Sequence, residues 1–257
     1  MKVEFKGDKT MDAYTEFAYI YDRLMEDIDY NKWLNFIKDI LQANNMRPKD
    51  VLEMGCGTGN FTRLLCQEGY NVIAFDSSED MLSVAYNKLN PYRNVQLIKQ
   101  DMLDFKINKE FHMIVSVCDS INYISEYSQL IKVFNNVYSH LMPGGAFIFD
   151  INSFYKLKNI IGNNVFIEDN EEVFYVWENE YDEIDNTCQF YISFFVKDSD
   201  KGLYRRFNEL HVEKAYTSSE IETALRKSGF SIISVYDEYS RKIPNPKSER
   251  LTFLAIK

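Results

Sequence analysis

Three glycines stand at alternate positions in Gly55-Cys56-Gly57-Thr58-Gly59, straight after the apolar run Val51-Leu52-Glu53-Met54 and straight before a helical pattern. Without Cβ atoms the loop adopts unusual backbone angles and lets a ligand lie against bare backbone. The next helix adds unpaired N–H groups at its N-terminus. Such a loop binds something polar, and three features narrow what. Asn60 occupies the place where the dinucleotide fingerprint GxGxxG needs its last small residue. No lysine follows Gly59 to reach a triphosphate. Glu53 puts a carboxylate where a pyrophosphate would lie, and so favours a cationic or hydroxyl-bearing ligand. Asp76, at the end of the next apolar run, is placed to accept two hydrogen bonds from ribose hydroxyls, each worth roughly 1.5–3 kcal/mol when charge-assisted.

The elements that hold these residues follow from periodicity. Tyr14, Phe17, Ala18, Tyr21, Leu24 and Met25 recur at helical spacing, as do Trp33, Phe36, Ile37, Ile40 and Leu41. Short apolar runs then alternate with helical stretches. Strands are expected at Val51–Met54, Asn71–Phe75, Val95–Lys99, Phe111–Val117 and Ala146–Phe149, with Pro143-Gly144-Gly145 as a turn. Helices are expected at Asn60–Gln67, Glu79–Leu89 (capped by Ser78) and Tyr127–Leu141. Continuously apolar strands between helices predict a parallel sheet covered on both faces. Ligands of such sheets sit beyond the carboxyl ends of the strands. Glu53, Asp76, Gln100-Asp101, Cys118-Asp119 and Asp150 all end strands, so they converge on one crevice. After Asp150 the texture changes. Val173–Tyr181, Cys188–Val196 and Tyr204–Val212 read as an antiparallel meander, in which Phe190, Ile192, Phe194 and Val196 share a face. A helix over Ser219–Ser228 and strands over Phe230–Tyr236 and Leu251–Ile256 complete the pattern.

Glu53-Met54-Gly55-Cys56-Gly57-Thr58-Gly59 with Asp76 and Gln100-Asp101-Met102 resembles the class I S-adenosylmethionine-dependent methyltransferases. Phe17-Ala18-x-x-Tyr21-Asp22 and Phe149-Asp150-Ile151-Asn152 resemble a bacterial small-molecule subgroup, with relatives among amino-sugar N-methyltransferases and glycine N-methyltransferase-like enzymes. The resemblance implies a Rossmann-like doubly wound α/β fold: seven strands, parallel but for one, with the meander inserted. It divides the chain into N-terminal helices over the cofactor (1–47), an α/β core (48–150 and 217–257) and a substrate lid (151–216). The implied cofactor is S-adenosyl-L-methionine. Its methionine part would lie on Glu53, Gly55, Cys56, Gly57 and Gly59, and its ribose on Asp76 beside Ser77. Gln100 and Asp101 would face the adenine edge, with Met81 and Met102 on the ring. Cys118 and Asp119 would lie near the sulfonium, and Tyr14, Tyr21 and Trp33 would close over it; aromatic faces and carboxylates both attract a cation.

For the methyl acceptor, Asp119, Asn122, Asp150 and His211 are the polar candidates. His211 is the candidate base if the last meander strand lines the crevice. His112 and His140 sit at element ends and read as structural. Four cysteines without paired spacing fit free thiols in a reducing cytoplasm, and Cys56 reads as a loop filler. No metal-ligand spacing appears. A formal net charge of −10 argues against nucleic acid or anionic membrane as partner, and no apolar run is of membrane-spanning length. The expectation is a cytoplasmic monomer or weak dimer that methylates a small molecule, on nitrogen sooner than oxygen. A non-catalytic cofactor-binding protein is the alternative; a dinucleotide oxidoreductase is disfavoured by Asn60 and Glu53.

Overall fold

In the computed structural model, which describes residues 13–170, 172–198 and 202–257, two helices lead into the alternating core. They are α1 (Ala13–Leu24) and α2 (Tyr30–Ala43), the second capped by Asp29, whose side chain accepts from Lys32 N. The core runs β1 (Asp50–Met54), α3 (Asn60–Gln67), β2 (Asn71–Asp76), α4 (Glu79–Leu89), β3 (Val95–Lys99), β4 (Phe111–Ser116), α5 (Tyr127–His140) and β5 (Leu141–Asn152). Ser78 caps α4 as its position predicts, accepting from Met81 N at 3.3 Å. The meander follows as β6 (Val165–Asp169), β7 (Val173–Asp182), β8 (Thr187–Asp198) and β9 (Leu203–Lys214). The chain returns to the core through α6 (Ser218–Lys227), β10 (Ile232–Asp237) and β11 (Arg250–Ile256).

Seven strands pair in the order β10-β11-β5-β4-β1-β2-β3, and β11 alone is antiparallel to its neighbours. The chain therefore builds one half outward from β1 and the other outward from β4. The crevice that binds ligands in such sheets opens where that reversal occurs, between the carboxyl ends of β1 and β4. Strand alternation divides the core. Val51 packs with α2 and α3 on one face, while Leu52 and Met54 pack with Phe134, Phe147 and Ile221 on the other. Because β11 runs backwards, its first residue, Arg250, lies beside the last residue of β5, Asn152.

The structure departs from the expected pattern in four places. Strand β5 begins at Leu141, and Pro143-Gly144-Gly145 is a bulge inside it, with Gly144 at φ 77° and a register shift against β4. A 3₁₀ turn (Ser120–Tyr123) and a π-helix (Lys156–Ile161) were not foreseen. Neither was β6, where Val165, Phe166 and Ile167 stand consecutively and exposed, so no alternation betrays a strand. The meander is one four-stranded antiparallel sheet, β6-β7-β8-β9. Its register aligns Asn179, Phe190 and His211 in one cross-strand row and Trp177, Ile192 and Glu209 in the next. Phe194 and Phe207 of this face pack against Phe17 and Ile20 of α1. No helix among the described residues is long and apolar enough to cross a membrane.

Candidate active site

The three glycines do different jobs. Gly55 has φ 67°, and a Cβ there would stand 2.7 Å from Met102 Cε and 2.9 Å from Ser120 Oγ. Gly57 has φ 52°, and its Cβ direction meets nothing within 4 Å, because it opens on the cavity. Gly59 corrects the expectation of a ligand contact. It caps α3 at φ 79° and faces Ala85 and Leu89 of α4, where close helix packing leaves no room for a side chain. The loop is braced by the residue expected to bind ribose. Asp76 accepts from Gly57 N (2.8 Å) and Ser78 N (2.9 Å), one bond per carboxylate oxygen. The carboxylate keeps acceptor capacity beyond these bonds. Burial pushes the Asp76 carboxyl up, and the backbone N–H bonds offset part of that.

Above the loop lies a cavity of about 670 Å³. Of the strand-end residues, Glu53, Asp76, Gln100, Asp101, Cys118 and Asp119 line it together, with Cys56, Ser77, Met81 and Met102 between them, while Asp150 does not reach it. Glu53 is 1% exposed, its Oε2 has no partner, and burial next to the Asp76 charge pushes its carboxyl up to about 8. Cys56 is buried and its thiol is pushed well up by burial, so it fills space and does no nucleophilic work. Tyr21 and Trp33 form part of the roof with Phe17. The Tyr21 hydroxyl reaches Cys118 Sγ at 3.9 Å, and Trp33 stacks on Tyr239 with ring centroids 4.7 Å apart. The side chain of Tyr14 lies outside the described residues.

Helix α1 is fastened to the loop by a clasp that sequence reading passed over. Asp22 Oδ1 accepts from Thr58 Oγ1 (2.6 Å), Asn60 Nδ2 (3.0 Å) and Lys88 Nζ (3.0 Å), while its Oδ2 is 2.8 Å from Lys88 Nζ. Burial alone would raise the Asp22 carboxyl, but these bonds outweigh it and hold it low. The signal was present in the Phe17-Ala18-x-x-Tyr21-Asp22 stretch, although its partners lie 36–66 residues away.

On the β4–β5 side the wall is charged. Cys118 and Asp119 both take left-handed backbone angles, φ 62° and 53°, a strain of about 1–3 kcal/mol for each such residue. Asp119 is held there by Arg250 Nη2 at 2.8 Å and by its own N–H to Asp150 Oδ2 at 3.2 Å. Asp150 itself is fully buried behind the wall, paired with Arg250 Nη1, which corrects its assignment to substrate. Asn122 is corrected likewise. It is fully buried, donates to the Asn152 and Lys214 carbonyls at 3.1 and 2.9 Å, and accepts from Asn152 N at 3.0 Å. Its amide ties the end of β5 at Asn152 to the end of β9 at Lys214, and so joins the core to the meander.

Residues missed from the sequence fill their places. Arg250, Asn152, Lys156, Glu213 and Trp177 all line the cavity. Lys156 Nζ donates to Asn152 Oδ1 at 2.9 Å, and burial together with Arg250 lowers its ammonium. Glu213 accepts from Asn152 Nδ2 at 2.9 Å and is pushed well up by burial and by Asp119. Strand alternation could have found Glu213, two residues beyond His211, had the strand been drawn past Val212. His211 does line the cavity. It is 8% exposed, its Nε2 has no partner, its Nδ1 lies 3.1 Å from the Tyr123 hydroxyl, and burial lowers its proton affinity.

An anionic floor, an aromatic roof and an imidazole in the far wall suit a nucleoside-sized cation next to a nucleophile. Known proteins lead to the same chemistry. A family model described as a methyltransferase domain matches residues 51–145, from β1 into β5. A relative from Geobacillus sp. (strain WCH70), described as a methyltransferase, is 31% identical over 95% of this chain and 100% of its own. The dTDP-3-amino-3,4,6-trideoxy-alpha-D-glucopyranose N,N-dimethyltransferase of Streptomyces venezuelae is 25% identical over 84% of this chain and 91% of its own. The crystal structure of an S-adenosylmethionine-dependent methyltransferase from Clostridium acetobutylicum ATCC 824 superposes with a TM-score of 0.86 at 43% identity, over 95% of this chain and 98% of that one. With a methyltransferase relative matched at 31% identity along nearly the whole chain and the fold of a solved S-adenosylmethionine-dependent methyltransferase at 43% identity, the chain belongs to the S-adenosylmethionine-dependent methyltransferases and takes S-adenosylmethionine as its cofactor.

Proposed function

We propose that this methyltransferase alkylates an amine nitrogen of a small molecule, with His211 as the base. The observation that carries the reading is the unpartnered Nε2 of His211, buried in the wall of the same cavity that the glycine loop floors. The S. venezuelae relative, by its name a sugar-amine N,N-dimethyltransferase, supports nitrogen as the acceptor.

The residues fit the cofactor. Asp76 keeps acceptor capacity for ribose hydroxyls, and Asp101 lines the cavity where an adenine amino group would lie, with Met81 and Met102 beside the ring. Glu53 has an unpartnered buried oxygen for the cationic methionine end, and Gly57 leaves open space for it. Tyr21 and Trp33 offer aromatic faces to a sulfonium. When bound, the cofactor supplies an electrophilic methyl group on a good leaving group. The protein's share is then alignment and a dry site. An amine needs only a weak base to keep its lone pair free, and a buried imidazole of lowered proton affinity is neutral at physiological pH.

Residues 1–47 cover the cofactor in this reading, residues 48–150 with 217–257 hold it, and the meander of 151–216 selects the acceptor. The test is to incubate the protein with S-adenosylmethionine and a panel of amino sugars and other small amines. S-adenosylhomocysteine release is followed and the new methyl located by mass spectrometry. Methyl on nitrogen supports the proposal; methyl on hydroxyl groups alone rejects it.

A further inference from the structure

The meander turns an apolar face to solvent. An antiparallel sheet with one solvated face ordinarily carries polar side chains there. Here the inner face takes Phe190, Phe194 and Phe207 into the interior, and alternation sends their neighbours outward. Val165 and Ile167 of β6 are 57% and 63% exposed, and Tyr204 and Leu210 of β9 are 57% and 55% exposed. On the same outer face the rings of Phe174 and Phe195 lie 5.7 Å apart, and the Arg206 guanidinium stands 5.6 Å from the Phe195 ring centre. None of these six apolar side chains belongs to a hydrophobic cluster of the described residues. An exposed apolar surface of this kind marks a contact with a partner.

The charges on this face say which partner. Outward-facing charged residues of β6 and β7 are acidic, among them Asp169, Glu178 and Glu180, while those of β8 and β9 are basic, Lys197, Arg206 and Lys214. The strand order puts the acidic half along one edge of the sheet and the basic half along the other. One cross-strand row reads Asp169, Phe174, Phe195, Arg206, with the acid at the β6 edge and the base at the β9 edge. Such a face complements a copy of itself turned about a two-fold axis parallel to the strands. That rotation lays β6 over β9 and β7 over β8. Asp169 then meets Arg206 of the partner subunit, Val165 meets Leu210 of the partner subunit, and the two Phe174–Phe195 pairs face each other. An axis running across the strands would lay the acidic half on itself, which like charges oppose. We infer that the outer face of the meander is a homodimer interface, in which two meanders pack face to face about the axis parallel to their strands.

Aligned packing of this sort brings the two sheets about 10 Å apart with their side chains interdigitated. Four strands and the span from Phe174 to Glu180 make a contact of roughly 19 by 23 Å on each subunit. That is towards the small end of specific interfaces, so the dimer is a reversible one. The cavity is lined from the opposite side of the same sheet, by Phe190, His211 and Glu213. Dimerisation therefore leaves the site open and does not depend on which acceptor is methylated.

The interface is tested by analytical ultracentrifugation of the full chain from low to high micromolar concentration, where a reversible monomer–dimer equilibrium is expected. Leu210→Gln and Arg206→Asp each raise the dimer dissociation constant about 10-fold or more. Their circular dichroism and S-adenosylmethionine affinity stay as in the wild type, because neither side chain lines the cavity. Joining Asp169→Arg to Arg206→Asp exchanges the two charges and restores the dimer. A monomer at every concentration overturns the proposal. So does a dimer indifferent to both single variants, the behaviour expected of pairing through the β6 edge. A double variant that associates no more tightly than Arg206→Asp alone overturns it as well.

Discussion

Asp76 serves two masters, and the balance between them is measurable. Its carboxylate pins Gly57 and Ser78 while offering its remaining lone pairs to a ligand. Asp76→Ala is therefore expected to weaken S-adenosylmethionine binding by about 1.5–3 kcal/mol or more, read by titration calorimetry, and to loosen the loop in the free protein. Glu53 makes a prediction in pH. Its folded value is about 8 against an ordinary 4.5, so the folded protein holds this proton more tightly than the unfolded chain does. The contribution is full below pH 4.5 and is lost as pH rises through about 8. Without ligand, the melting temperature of the wild type should fall relative to Glu53→Gln across that window. Parallel curves would contradict the burial assigned to the Glu53 carboxyl.

Two connections between elements decide whether the cavity has a roof and a wall. The Asp22 clasp docks α1 on the glycine loop and on α4 at Lys88. Asp22→Ala should cost about 1–2 kcal/mol of that docking, seen as faster amide exchange across Ala13–Leu24 and weaker cofactor binding. Unchanged exchange would mean that Phe17 and Ile20 hold the helix unaided. Arg250 ties β11 to the ends of β4 and β5 through Asp119 and Asp150. Removing it strands a buried carboxylate, so Arg250→Met should cost about 3–5 kcal/mol in denaturant unfolding. These connections mark what sequence could tell and what it could not. Glu53, Asp76 and Asp101 were legible because strand ends converge whatever the details of packing. Arg250, Lys156 and Glu213 were not, because their roles come from the reversed course of β11, a π-helix with no sequence signature and two further residues of β9. Asn122 and Asp150 look like site residues by position, yet both are fully buried and bonded within the protein, Asn122 to Asn152 and Lys214 and Asp150 to Arg250, which only the three-dimensional partners reveal.

At the scale of the molecule, one cavity joins the glycine loop of the core to the inner face of the meander, beneath α1. A ligand that fills it stabilises the fold by mass action, about 2.7 kcal/mol at a hundred times its Kd. S-adenosylmethionine and S-adenosylhomocysteine should raise the melting temperature, whereas NAD and ATP should leave it in place. The parallel core and the inserted meander were readable as periodicity, since a covered strand and a half-covered one carry different patterns. The edge strand β6 escaped because its exposed apolar residues run without alternation. The central claim is that the sulfur of the cofactor faces the meander wall where His211 waits. A crystal structure with S-adenosylhomocysteine tests it most directly. The account predicts ribose hydroxyls on Asp76, the adenine beside Asp101 and Met102, and the sulfur open towards His211 and Tyr21. A nucleoside turned end for end, or a sulfur directed away from β9, would contradict it.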